Sequence, residues 1–167
     1  MELGVMTNAY RFDRGGKTCH SYIYQLTSLA EAGFRVADIN TCASVRACGD
    51  ELANDNWEAV VETLGNRAAE LGVRFSQAHA PFNGNIFIRG KRPDEQYMQL
   101  YREMTRRAIT AASRLGARWV VVHPLTDTVN TEFDNEIQCR TNRDFYAEYV
   151  ELASRLGVGI AFENMSE

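Results

Sequence analysis

Three residues at the ends of short strand-like segments have side chains suited to a metal site. His79 ends the run RFSQAH, His123 ends RWVVVH and Glu163 ends VGIAFE. Two neutral imidazoles and a carboxylate form a ligand set suited to zinc or manganese. A divalent ion held by them would stabilise negative charge that develops on a substrate oxygen, and a carboxylate can also accept a proton from carbon.

The spacing of these residues from glycine suggests equivalent positions in a repeated unit. Four helical patterns end at a glycine and are followed by a short apolar run. These glycines are Gly33, Gly72, Gly116 and Gly157. Asn40, His79 and His123 each lie seven residues beyond their glycine, whereas Glu163 lies six beyond Gly157. The one-residue difference indicates either a bulge in the strand or a shorter turn after the glycine.

The elements that must position these residues repeat about every 40 residues. Successive glycines are 39, 44 and 41 residues apart, the length of one strand, one helix and two loops. Amphipathic stripes predict helices near residues 22–32, 57–71, 97–115 and 145–156. Continuous apolar runs such as WVVV, with an opening run LGVMT at 3–7, predict five strands buried on both faces. The sequence therefore predicts an α/β fold of parallel (βα) repeats, either doubly wound or part of a (βα) barrel.

In both architectures the active or ligand-binding site lies at the carboxyl ends of the parallel strands. We therefore expect His79, His123 and Glu163 to converge at one mouth, the open end of the sheet or barrel where the carboxyl ends of the strands meet. Each also has a structural interpretation, because a histidine such as His123 before a proline commonly ends a strand by hydrogen bonding. Asp38 and Asn40 share one strand face, and they either line the same mouth or cap the loop that follows.

Composition limits the class of protein. The length of 167 residues and 45% apolar content predict one globular domain over residues 1–167. A net charge of -4 makes nucleic acid an unfavourable partner and leaves a small neutral or anionic substrate. Neither a membrane span nor a secretory signal is recognisable, and the four cysteines lack zinc-finger spacing. These features predict a cytoplasmic protein with free thiols.

Two basic segments and one long connection offer weaker signals. RGGK at 14–17 and RGKR at 89–92 carry charge suited to phosphate, but neither matches a phosphate-binding loop, and solvated loops are the favoured interpretation. The connection from Pro81 to Asp94 is long for a compact domain, so we expect either an active-site cover or a segment that packs on another chain.

Three ordered motifs give the chain a family resemblance. QAHAPF (77–82), VVVHP (120–124) and IAFEN (160–164) resemble the sugar phosphate isomerase/epimerase superfamily, the xylose isomerase-like TIM barrels that include the apurinic endonucleases. The resemblance implies that Glu163 binds a divalent metal (Mn, Zn, Co or Mg) and, in the epimerase branch, exchanges a proton with substrate carbon. It also implies that His79 and His123 line the substrate site in epimerases, and that the same histidines bind zinc in endonucleases.

The function implied by the resemblance is a sugar isomerase or epimerase that acts on a ketose, sugar acid or polyol-derived substrate. Glu163 is its expected catalytic residue, with His79, His123 and Asn40 expected to contact substrate. Alternatives are a zinc-dependent apurinic endonuclease-like phosphodiesterase, an inosose dehydratase-like lyase, or an inactive barrel fragment.

The number of strands bears on activity. Members of the superfamily have eight strands, with further metal ligands expected on strands six to eight, whereas this sequence predicts the N-terminal five strands of a TIM-barrel-like fold. We therefore expect an apparently truncated barrel, and whether this chain alone is an active enzyme stays open. Unpaired edges of such a sheet predict a homo-oligomer that covers them.

Overall fold

Five parallel strands alternate with four α-helices in the computed structural model, which describes residues 2–12, 19–45, 50–82, 94–126 and 133–163. The strands are β1 (Gly4–Met6), β2 (Val36–Asn40), β3 (Arg74–His79), β4 (Trp119–Val122) and β5 (Gly159–Phe162). The helices are α1 (Tyr22–Glu31), α2 (Trp57–Leu71), α3 (Glu95–Arg114) and α4 (Asn135–Arg155). Both basic segments, most of the connection between Pro81 and Asp94, and Cys48 lie outside the described residues.

The strands lie in the sheet in their chain order, β1-β2-β3-β4-β5, and every neighbouring pair is parallel. A doubly wound sheet reverses its strand order at a switch point, so this order excludes that alternative. Each helix contacts the next along the chain, which places the helices together over the sheet. The prediction of the first five strands of a TIM-barrel-like fold is confirmed.

The predicted helices are present, but α4 is longer than its apolar stripe indicated. It begins at Asn135, where the Asp134 carboxylate accepts a hydrogen bond from the Ile137 N–H at 3.0 Å. The first turns of α4 are largely polar and exposed, so they carry no stripe that marks a buried face. Here the cap, rather than the apolar pattern, marks the start of the helix.

All four predicted helix-ending glycines have positive φ angles: 94° at Gly33, 62° at Gly72, 73° at Gly116 and 71° at Gly157. Their spacing to the following strand differs. β5 begins two residues after Gly157, whereas β4 begins three residues after Gly116, and Trp119 pairs with Gly159. Relative to His123, the shorter turn explains why Glu163 lies one residue closer to its glycine. β3 also begins two residues after Gly72, so the turn does not explain the difference from His79.

Glycine substitutions in and after α2 provide a matched stability test. Gly72 has a left-handed conformation with open space around it, so Gly72→Ala is expected to destabilise the fold by about 1–2 kcal/mol through backbone strain alone. Gly65 lies inside α2, and an added Cβ would lie 3.5 Å from a methyl of Leu115, an ordinary contact. Gly65→Ala is therefore expected to stabilise by about 0.5–1 kcal/mol. Urea unfolding of both variants measures the two effects, and equal signs would contradict the prediction.

The main core lies between the sheet and the helices. Alternation along β4 directs Val120 and Val122 into this core, where both are fully buried. Trp119, Val121 and His123 occupy the other face of this open sheet, which corresponds to the interior of a complete barrel and is called the barrel interior. The Trp119 ring covers Gly159 there, since a Cβ added to this glycine would lie only 2.3 Å from a ring atom. Trp119 nevertheless stays 50% exposed, so the interior face is only partly covered.

Within the described residues, β1 pairs only with β2, and β5 pairs only with β4. Both outer strands therefore present unpaired backbone groups at the edges of the sheet. No helix in the described part of the chain is long and apolar enough to cross a lipid bilayer.

Candidate active site

The structure brings His79, His123 and Glu163 together at the carboxyl ends of three neighbouring strands. Glu163 Oε2 lies 3.6 Å from His79 Nε2 and 3.6 Å from His123 Nδ1. One ligand atom from each residue falls within 4.8 Å of the other two. The convergence expected from the sequence is therefore present, while the roles of the three residues remain predictions.

Backbone pairing fixes the positions of these side chains. His79 is the last residue of β3, and His123 and Glu163 directly follow β4 and β5. The Glu163 N–H donates to the Val122 carbonyl at 3.0 Å, which continues the ladder beyond the last paired residues. The Tyr146 hydroxyl, from α4, donates to the His123 carbonyl at 2.8 Å. The sheet and α4 thus hold the backbone at the site.

Asn40, His79 and His123 are equally spaced from their glycines but do not all occupy the same register position in the sheet. Asn40 pairs with His79, but His79 pairs with Val121, so His123 lies two residues further along the sheet. Strands in a barrel are staggered, and side chains of different register can therefore meet at one mouth. A bulge contributes as well: Ala37 pairs with Phe75 and Asp38 pairs with Gln77.

His79 is held by a carboxylate that sequence reasoning did not assign to it. Its side chain is 12% exposed, and Nδ1 lies 2.6 Å from Asp38 Oδ2. Burial lowers the pKa of His79, but the hydrogen bond and charge of Asp38, together with Glu163, outweigh it and raise the pKa above its usual value. Nε2 is left facing Glu163.

His123 has the opposite electrostatic environment. Its side chain is 7% exposed, its Nε2 lies 3.9 Å from Cys42 Sγ, and its ring centroid is 4.3 Å from that of Phe82. Burial lowers the pKa of His123, and the neighbouring His79 adds to this while Glu163 opposes it. His123 Nδ1 is buried without a hydrogen-bond partner. The imidazole is therefore neutral near pH 7, with a nitrogen available to a ligand.

These residues fit a divalent metal ion. A buried nitrogen without a partner is costly unless something binds it, and His123 Nδ1 is directed at the Glu163 carboxylate. Zinc with bonds of 2.0–2.1 Å separates its tetrahedral ligands by about 3.3 Å, close to the 3.6 Å between Glu163 Oε2 and each imidazole. His79, His123 and Glu163 are thus the residues that would hold the ion.

Asn40 uses its side chain within the fold. It is buried, its Oδ1 accepts from the Cys42 N–H at 3.2 Å, and its Nδ2 lies 3.4 Å from the Met6 sulfur. These contacts hold the start of the loop after β2. A role for Asn40 in substrate binding remains a prediction.

Sequence reasoning missed Gln77 and did not assign Asp38 to His79. Gln77 Nε2 donates to the same Asp38 oxygen at 2.7 Å, so this carboxylate joins β2 to β3. The signal was a charged residue in the middle of the strand VADIN, and a Gln two residues before a His. Cys42 and Phe82, which follow their strands in loops, carried no such signal.

The sequence profile described as the xylose isomerase-like TIM barrel matches residues 26–167. The chain belongs to this family. The match includes His79, His123 and Glu163, and it agrees with the sequential parallel sheet.

Solved structures of similar fold include sugar epimerases. A D-tagatose 3-epimerase-like protein has a TM-score of 0.65 and 23% identity, over 100% of this chain and 54% of its own. A D-psicose 3-epimerase crystallised with D-fructose has a TM-score of 0.64 and 12% identity, over 100% and 53%. A family member from Mycobacterium smegmatis in complex with magnesium has a TM-score of 0.64 and 16% identity, over 99% and 55%.

At these identities the likeness establishes the fold alone. The chain spans about half the length of the solved structures that it matches. No curated protein matches the chain significantly by sequence.

Proposed function

We propose that the protein acts in divalent-metal-assisted isomerisation or epimerisation of a sugar, with a ketose, sugar acid or polyol-derived compound as substrate. The observation that carries this proposal is the convergence of two imidazole nitrogens on the Glu163 carboxylate at the strand ends of a xylose isomerase-like barrel. The similar solved structures include a D-tagatose 3-epimerase-like protein and a D-psicose 3-epimerase, which supports a sugar substrate.

Glu163 is proposed as both metal ligand and base. Its side chain is 46% exposed, so the carboxylate is accessible from the mouth while Oε2 lies beside both histidines. A carboxylate in this position can remove a proton from a carbon next to a carbonyl. His79 and His123 would hold the ion and orient the substrate oxygen, and the bound ion would stabilise negative charge on that oxygen.

Two measurements on the purified chain test this proposal. Equilibrium dialysis against Mn²⁺, Zn²⁺, Co²⁺ and Mg²⁺, followed by metal analysis, is expected to show about one ion per chain for at least one metal. With that ion bound, NMR in D₂O is expected to show deuterium entering a carbon next to the carbonyl of D-tagatose or D-fructose. Near-zero metal content and no exchange would contradict the proposal and support an inert fragment.

Zinc-dependent phosphodiester cleavage is a second candidate, because two imidazoles and a carboxylate are typical zinc ligands. The net charge of -4 disfavours DNA as a partner. Nicking of a duplex with an abasic site, without exchange at a sugar carbon, would favour this candidate. Dehydration of an inosose under the same conditions would favour a lyase.

Metal affinity is expected to depend on pH in two stages. The metal competes with protons for His79 Nε2 and His123 Nδ1. The pKa of His79 is raised, so affinity first falls by about tenfold per unit as pH drops through this pKa. The pKa of His123 is lowered, so the decline steepens only at lower pH. Titration calorimetry across this range measures the profile, and a flat profile would contradict coordination by these nitrogens.

We also propose that the chain self-associates through the open edges of its sheet. The supporting observations are the unpaired outer sides of β1 and β5 and the exposure of Met6 and Trp119 on the interior face. Light scattering after gel filtration is expected to give a mass above 18.8 kDa, the mass of one chain. A clean monomer at micromolar concentration would contradict self-association.

One domain over residues 1–167 and a cytoplasmic location complete the proposal. One sheet and one core cluster unite the described elements.

A further inference from the structure

We propose that Asp38 is a positioning residue that fixes the tautomer of His79, so that the Nε2 lone pair is directed toward Glu163. This inference rests on the proposed metal site, in which a lone pair on that nitrogen is the requirement. Among the described residues, the hydrogen bonds of Asp38 go to Gln77 and His79 rather than to Glu163 or His123, so its proposed effect on the site passes through His79.

The hydrogen bonds of Asp38 determine which nitrogen carries the proton. Asp38 is buried, and its Oδ2 lies 2.6 Å from His79 Nδ1 and 2.7 Å from Gln77 Nε2. The Gln77 amide donates to Oδ2, so this oxygen acts as an acceptor, and the His79 nitrogen that faces it must be the N–H. The neutral ring then has its lone pair on Nε2, which lies 3.6 Å from Glu163 Oε2.

A local irregularity of the sheet creates this contact. The register shift between Ala37 and Asp38 places Asp38 opposite Gln77 and Asn40 opposite His79. Without the extra residue in β3, Asp38 would pair with Ser76, and His79 would change to the opposite face of the sheet. Bulges are known to redirect side chains beside active sites, and this one directs His79 into the barrel interior beside Asp38.

His123 provides an internal reference for the tautomer of His79. Its Nδ1 faces Glu163 at 3.6 Å, and its Nε2 lies beside Cys42. The two histidines therefore need opposite tautomers to direct both lone pairs at one point. A free neutral imidazole favours the proton on Nε2, so it is His79 that needs a partner to hold the less common form.

A purely structural role for Asp38 would stabilise the fold without selecting a tautomer. The long-range ¹H–¹⁵N NMR spectrum of ¹⁵N-histidine-labelled protein, recorded without metal at alkaline pH, distinguishes the two roles. We expect the Nδ1–H form for His79 and the Nε2–H form for His123 in the unaltered chain. An Nε2–H form for His79 would overturn the proposal, and this measurement needs neither metal nor activity.

Two substitutions of Asp38 extend the test. Asp38→Ala is expected to convert His79 to the Nε2–H form and to weaken metal binding by about 10- to 100-fold in dialysis. In Asp38→Asn, the amide oxygen can take the position of Oδ2, which accepts two hydrogen bonds. The amide nitrogen can then take the position of Oδ1, which is buried without a hydrogen-bond partner. This variant is therefore expected to keep the Nδ1–H form and to bind metal more tightly than Asp38→Ala.

Asp134→Ala serves as the matched control, because it removes an exposed aspartate that also accepts a hydrogen bond but lies at the start of α4. It is expected to leave both tautomers and the metal affinity unchanged. If Asp38→Ala leaves the His79 tautomer and the metal affinity unchanged, the inference is wrong. If the unaltered chain binds no metal but shows the expected tautomers, the proposed function fails while the positioning role stands. Should Asp38→Ala not fold, the unaltered chain and Asp38→Asn still decide the outcome.

Discussion

Glu163→Gln is expected to slow metal-dependent hydrogen exchange at the substrate carbon by about 10²- to 10⁴-fold, the range attributed to a general base. Glutamine keeps the size of the side chain and one acceptor oxygen, but it can neither take a proton from carbon nor supply a negative charge to the ion. Deuterium incorporation from D₂O into a ketose, followed by NMR at saturating metal, measures the effect.

The metal affinity of Glu163→Gln separates the two proposed tasks of this residue. Loss of the charged ligand is expected to weaken binding together with exchange, because Oε2 lies beside both histidines. Retained affinity with lost exchange would leave Glu163 as a base only. Glu62→Gln, an exposed change on α2, is the control and is expected to alter neither quantity. Exchange at the original rate in metal-loaded Glu163→Gln would exclude Glu163 as the base.

Local sequence signals predicted the repeat units well. Each helix-ending glycine has the expected backbone conformation, because only a residue without a Cβ adopts it at little cost. Short runs rich in apolar residues located the strands. Only β2 is buried at every position, whereas β1, β3, β4 and β5 each keep exposed or partly exposed residues, so the prediction of burial on both faces holds only for β2. The polar residues at the ends of those runs therefore stood out as site candidates.

These local signals did not predict which distant segments lie next to each other in the fold. The order of strands distinguishes a barrel from a doubly wound sheet, and it is set by packing rather than by any one segment. The contact between Asp38 and His79 joins residues 41 positions apart, and it depends on a bulge that leaves no mark in the pattern of β3. Sequence spacing thus identified the candidate metal ligands, whereas the residues that orient them required the structure.

A buried ion pair joins the loops around the mouth of the barrel. Asp50 Oδ2 lies 3.2 Å from Arg11 Nη2, and this ion pair has side chains only 1% and 4% exposed. The Tyr22 hydroxyl donates to Asp50 at 3.1 Å, and the Leu52 N–H donates to it at 3.0 Å. Burial, and then the charge of Asp50, raise the pKa of Tyr22 well above its usual value, so its hydroxyl stays a donor. One carboxylate thus joins the segment after β1, the start of α1 and the residues that precede α2.

Asp50→Ala is expected to destabilise the fold by about 3–5 kcal/mol, because removing one partner leaves the Arg11 charge buried without this carboxylate. Urea unfolding followed by circular dichroism measures the change. Asp94→Ala, which removes an exposed cap from α3, is the matched control and is expected to cost about 1 kcal/mol.

The double change Arg11→Met with Asp50→Leu separates buried charge from shape. Apolar replacement of both partners removes the buried Arg11 charge together with that of Asp50, so the double variant is expected to be more stable than Asp50→Ala alone. If Asp50→Ala lowers the free energy of unfolding no more than Asp94→Ala does, water reaches Arg11 freely. The ion pair then does not hold the loops at the carboxyl ends of the strands. If the cost is large and the double change restores stability, the buried charge rather than the lost volume sets the penalty.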